Sequence, residues 1–116
     1  MRIKYAIELL ERREKGDLLE AEAGLSSFWQ NQIEKHGAIK TQEEFIAFLE
    51  QAVQPAKDDP TYAVHRTRMS IYYNSLAVCT LKNICDRAVV CSSMAGDVQN
   101  FLQFNQAIFK SLASIN

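Results

Sequence analysis

Chain breakers are scarce in this protein. Its 116 residues include four glycines and two prolines, too few turn formers for short strands joined by hairpins, and no segment alternates apolar and polar residues as a half-buried strand does. No stretch approaches 18 uncharged apolar residues, which excludes a helical membrane span. Catalytic signatures are missing as well. There is no G-x-S-x-G elbow, no Gly-rich phosphate loop, no H-E-x-x-H, and no carboxylate pair in a setting that would raise one pKa. Metal-ligating spacings are missing too, with His36 and His65 as the only histidines and no CxxC among the three cysteines. The expectation is a protein without enzymatic activity, cofactor or metal. A large charge of one sign is also lacking. The net charge of −1 supplies no global field for nucleic acid or an anionic membrane.

What is present is helical patterning. Hydrophobic residues make up 47% and charged residues 23%, ordinary values for a folded chain, and the length suits one domain spanning 1–116. Ile3, Ala6, Ile7 and Leu10 share one face of a first helix from Arg2 to about Lys15, with Glu8–Arg12 and Glu11–Lys15 as i,i+4 pairs. Gly16 and Asp17 read as a stop and a new N-cap. A second helix from Leu18 to His36 follows, with Gly37 as its end. Thr41 and Glu44 form a capping box for a third helix from Gln42 to about Gln54, where Pro55 discourages continuation. Asp59-Pro60 is a further start signal.

From Pro60 to Ser93 no breaker appears. The reading is one long central helix, kinked at Asn74-Ser75, two poor helix formers side by side. Gly96-Asp97 then opens a last helix from Val98 to about Ser114, on which Phe101, Asn105, Ile108, Leu112 and Ile115 keep a heptad-like spacing. The expected fold is all-α, a single-domain, mainly antiparallel bundle of about five helices around a kinked central helix over 60–93. No internal repeat recurs at a fixed period.

Cys79, Cys85 and Cys91 lie six residues apart. At about 100° per residue, a continuous helix points the three thiols to three sides and separates successive ones by about 9 Å along its axis. A disulfide needs Cα atoms within about 7 Å, so the expectation is three free thiols acting as small apolar side chains. An odd cysteine count fits a reducing compartment. MRIKYAIELL begins with basic residues, but Glu8 interrupts its apolar run well short of a signal peptide. The expected location is the cytoplasm.

Charge is unevenly distributed. Residues 1–59 carry 12 acidic and 8 basic side chains, a net of −4, and residues 60–116 carry 2 acidic and 5 basic, a net of +3. An acidic face from Glu8, Glu11, Glu14, Asp17, Glu20 and Glu22, with more aromatics than one core needs, points to binding another protein. A basic toxin or nuclease is the partner such a face would fit, making this an immunity or inhibitor type of protein. The candidate contact residues are Glu11, Glu14, Asp17, Glu20, Trp29, Arg66, Arg68 and Tyr73. An alternative is a nucleic-acid-associated regulator using Arg66 and Arg68, although two arginines fall well short of the phosphate contacts of a duplex binder. A secretion adaptor, or a subunit that self-assembles through its last helix as a homodimer, completes the alternatives.

Overall fold

A computed structural model describes residues 1–113. It is an all-α bundle of five helices: α1 (Arg2–Glu11), α2 (Gly16–His36), α3 (Gln42–Asp58), α4 (Pro60–Leu81) and α5 (Arg87–Ala113), with a 3-10 turn over Arg12–Glu14 between the first two. Ser114 and Ile115, expected near the end of the last helix, lie outside the described residues. The bundle is elongated, 46 × 29 × 29 Å. No helix among the described residues is long and apolar enough to cross a membrane.

Several start signals act as their chemistry predicts. The Thr41 hydroxyl accepts from the Glu44 amide at 3.1 Å, while the Glu44 carboxylate accepts from the Lys40 amide at 2.8 Å. One orphan donor of α3 is thereby satisfied, and the Glu44 carboxylate reaches back past the N-cap to the residue before it. The Asp59 carboxylate accepts from the Tyr62 amide at 3.0 Å, with Pro60 as the first helical residue. Gly37 closes α2 with φ +92°, its amide bonded to the Ile33 carbonyl at 3.0 Å, a conformation costly for any residue with a Cβ.

Other boundaries differ from the sequence expectation. The first helix stops at Glu11 and tightens into the 3-10 turn, and Glu8 pairs with Lys4 at 4.0 Å rather than with Arg12. Gly16, at φ +55°, starts α2 and leaves Asp17 in its first turn, not at the cap. α3 runs through Pro55 to Asp58. The carbonyl deprived of a donor there belongs to Gln51, which is exposed, and continuing the helix buries Ala56 completely. α5 passes straight through Gly96, where an added Cβ would meet open space.

The largest difference concerns the expected central helix over 60–93. It is two helices, and the break falls at 82–86, not at Asn74-Ser75. Asn83 takes a left-handed conformation at φ 63°, which asparagine tolerates better than most residues. Asp86 then caps α5 by accepting from the Val89 amide at 3.0 Å. At position 75 the serine hydroxyl simply donates back to the Ile71 carbonyl at 2.9 Å and the helix continues.

The core sits between α2, α4 and α5, with α3 closing one side. α2 and α4 run antiparallel, so that Trp29 meets Tyr62 and Gly24 meets His65. A Cβ at position 24 would stand 2.2 Å from the His65 ring, so this crossing requires glycine. Phe28 stacks on Tyr62 at 4.1 Å between centroids, and Trp29 packs against Phe104 at 4.9 Å and Phe48 at 5.9 Å. Inside this apolar block runs one polar chain. The Trp29 indole donates to the Tyr62 hydroxyl at 3.1 Å, Tyr62 donates to the Asn105 side-chain oxygen, and Asn105 donates to the Phe101 carbonyl at 2.8 Å. Burial pushes the Tyr62 pKa up to about 12, against the opposing pull of the Trp29 hydrogen bond, the Arg66 charge and Asn105.

Candidate functional site

The acidic candidates and the aromatic or basic ones part company in three dimensions. Glu11, Glu14, Asp17 and Glu20 are all exposed at the corner where α1, the 3-10 turn and α2 meet. Trp29 is 7% exposed and tied to Tyr62, so it belongs to the core rather than to an open surface. Arg66 is 9% exposed, its guanidinium lying 5.9 Å from the Tyr62 ring and 5.7 Å from the Phe109 ring, with no hydrogen-bond partner for Nη1 among the described residues. Ring faces take the place of a carboxylate there. Arg68 and Tyr73 are half-buried. Arg66 and Arg68 therefore do not present a pair of exposed cations to solvent.

Beside the acidic corner the structure forms a groove of about 530 Å³ between α1, the start of α2 and the start of α5. Its lining joins apolar side chains, Ile7, Leu10, Leu19, Val89 and Met94, to the carboxylates of Glu11, Glu14 and Glu22, with one cation, Arg13. Three carboxylates and one guanidinium leave a net charge of −2 on the lining. Two of the apolar residues stand well out into solvent, Ile7 at 45% and Leu19 at 53% exposed. Water-facing aliphatic groups ringed by charge are a frequent mark of an interaction surface.

Arg13 holds this groove in shape. Its Nε and Nη2 donate to the two Glu22 oxygens at 3.0 and 2.5 Å, and its Nη1 donates to Asp97 at 2.6 Å and contacts the Met94 sulfur at 3.0 Å. The guanidinium thus bridges α2 and α5 from the 3-10 turn in a bidentate geometry that a lysine could not reproduce. Its hydrogen bond to Glu22, followed by Asp97, raises the Arg13 pKa against the opposing effect of burial. α1 is further secured where the Tyr72 hydroxyl donates to the Leu9 carbonyl at 3.0 Å, the Asp86 amide to the Arg2 carbonyl at 3.1 Å, and Arg2 to the Asn83 side chain at 3.2 Å.

Sequence reasoning found the acids of this corner and missed the rest. Arg13 and Asp97 are 84 positions apart, and no local pattern announces a pair at that range. Asp97 had a sufficient local reading as a helix cap. Ile7 follows the periodicity of a core face, so nothing marked it as partly exposed.

The cysteines require a correction. Cys79 and Cys85 form a disulfide with a Cα separation of 5.1 Å, and Cys91 is free and exposed. The expectation of three separated thiols assumed a continuous helix. Because α4 ends at Leu81, the chain folds back, and the amides of Ile84 and Cys85 both donate to the Cys79 carbonyl at 2.9 and 3.0 Å. The bridge therefore locks the turn on which Arg2 of α1 rests. Comparison with family models, with curated proteins and with solved structures finds no match for this chain.

Proposed function

We propose that this protein acts by binding another protein, and that the groove between α1, α2 and α5 receives a basic, amphipathic segment of that partner. The carrying observation is the joining of apolar and acidic side chains in the lining of one groove. Aliphatic side chains of the partner would enter beside Leu19 and Met94 while its lysines or arginines meet Glu11, Glu14 and Glu20. Such charge complementarity raises association rates and rejects acidic competitors. A toxin or nuclease with a basic cleft fits this chemistry, which makes an immunity or inhibitor role the specific form of the proposal. Binding, and not catalysis, is the activity proposed.

A helical model peptide patterned with leucine and lysine tests the groove directly, with a leucine and glutamate peptide of the same apolar pattern as its control. In an NMR titration, the basic peptide should shift amide signals over 7–22 and 89–94, with affinity falling as salt is added. Equal binding of the acidic peptide, or shifts confined to other surfaces, would contradict the proposal.

The proposed compartment is the cytoplasm, where glutathione and thioredoxin keep thiols reduced. In that compartment the Cys79–Cys85 bridge would open, leaving the turn to the backbone bonds on the Cys79 carbonyl, and trapping thiols at the moment of cell lysis should then recover both cysteines in reduced form. A recovered bridge would place the protein in an oxidising compartment instead.

A further inference from the structure

A second cavity lies behind the Arg13 clamp, a cleft of about 290 Å³ running between α2 and α5 with α4 as its floor. This volume sits near the lower end of small-molecule sites, roughly 300 to 1,000 Å³. We propose that the cleft binds a small organic cation with an apolar body, its ammonium group held at the end formed by Tyr73, Phe101, Glu22 and Asp97.

The cleft is polarised along its length. At one end the Tyr73 and Phe101 rings stand 5.1 Å apart, and Asp97 lies one helical turn before Phe101. At the other end Trp29 and Phe104 pair at 4.9 Å. Glu22 and Asp97 line the same cleft as Tyr73, where burial first pushes the Tyr73 hydroxyl pKa up to about 12, Arg13 opposes, and Glu22 and Asp97 add to the rise. Aromatic faces carry negative potential and attract a desolvated cation, while the remaining rings accept an alkyl or aryl body.

Charge favours the same ligand. None of the lining residues is Lys, Arg or His. Arg13 reaches Glu22 and Asp97 from the far side, and one guanidinium against two carboxylates leaves one negative charge over. Only one Asp97 oxygen is engaged by Arg13, and that side chain is 41% exposed, so the surplus charge is open to an ammonium donor. An anion would meet this charge without a counterion, and a neutral ligand would leave it unused.

The test is a titration with 4-phenylbutylamine, 4-phenylbutanol and 4-phenylbutyrate, three molecules of about the same shape and different charge. Trp29 is the only tryptophan in the chain, so its fluorescence reports occupancy of the cleft. The amine should bind saturably, roughly ten-fold more tightly than the alcohol, with no detectable binding of the carboxylate. Ser26→Phe, a change at an exposed residue on the cleft, should abolish amine binding while the circular dichroism spectrum stays unchanged. Asp97→Asn should reduce amine affinity to about that of the alcohol. Because Asp97 also holds Arg13, Asn100→Asp serves as the second variant: it adds a carboxylate at an exposed lining position and should tighten amine binding several-fold. Equal affinities for amine and alcohol, binding that survives Ser26→Phe, or no binding of any of the three would overturn the proposal.

Discussion

The α1 arm with its 3-10 turn and the block formed by α2, α4 and α5 are held by different forces. In the arm one side chain, Ala6, is fully buried and Leu9 and Leu10 pack partly buried against the core, while the Tyr72, Asp86, Asn83 and Arg13 hydrogen bonds add to the attachment. In the block, Met69, Tyr62 and Ile108 are each no more than 1% exposed, and the aromatic rings interlock. Apolar packing is unforgiving of a change of volume, whereas a few charge-assisted contacts can be weakened without unfolding the whole. The lesson is a division of labour: the block fixes the fold, and the arm shapes the groove proposed to bind a partner.

The contrast is broken most severely from inside the block. Met69→Ala leaves a cavity in a site that cannot collapse freely and should cost about 2 to 5 kcal/mol of global stability, read from denaturant unfolding. An equal loss after Ile7→Ala in the arm would contradict the division.

A second probe of the block is alkaline pH. Burial raises the pKa of Tyr62 above its ordinary value of 10, to about 12. A raised folded-state pKa gives stability that is complete below the unfolded value and lost as pH climbs through the folded one. Stability should therefore fall between about pH 10 and 12, by roughly 2 to 3 kcal/mol for this residue. Tyr62→Phe should remove that share of the loss, Tyr73 keeping its own, while also destabilising the protein at neutral pH, because Trp29 and Asn105 lose their partner.

Arg13→Met addresses the arm. It should lower global stability by only about 1 kcal/mol and yet speed amide hydrogen exchange over 2–14, leaving exchange in α4 unchanged. Uniform acceleration through both regions would mean that arm and block open together.

These two regions were also unequally legible in the sequence. The all-α class, the caps at Thr41 and Asp59, and the end at Gly37 follow from local chemistry and could be read directly. So could the acids at Glu11, Glu14 and Glu20, whose exposure needs no tertiary partner. The break between α4 and α5 was present as Asn83 and Asp86, but both residues also suit the exposed strip of a continuous helix, and no glycine or proline marked the turn. That misreading carried the cysteines with it, since Cys79 and Cys85 meet only once the chain has turned. Pro55 misled in the opposite sense, because tertiary burial of Ala56 outweighs one missing hydrogen bond at the surface. The Arg13 clamp was beyond reach, as it depends on how three segments pack.

Association kinetics test the central claim most directly. The leucine and lysine peptide should bind the wild-type protein with a rate constant that falls steeply as ionic strength rises, because exposed charges are screened over about 8 Å at physiological salt. The triple variant Glu11→Lys, Glu14→Lys and Glu20→Lys replaces exposed side chains and should keep the wild-type fold and stability to within about 1 kcal/mol. The account predicts slower association for this variant and a reversed salt dependence, its rate rising as added salt screens the repulsion between the new lysines and the basic peptide. Identical rate constants for the two proteins across the salt series would contradict it.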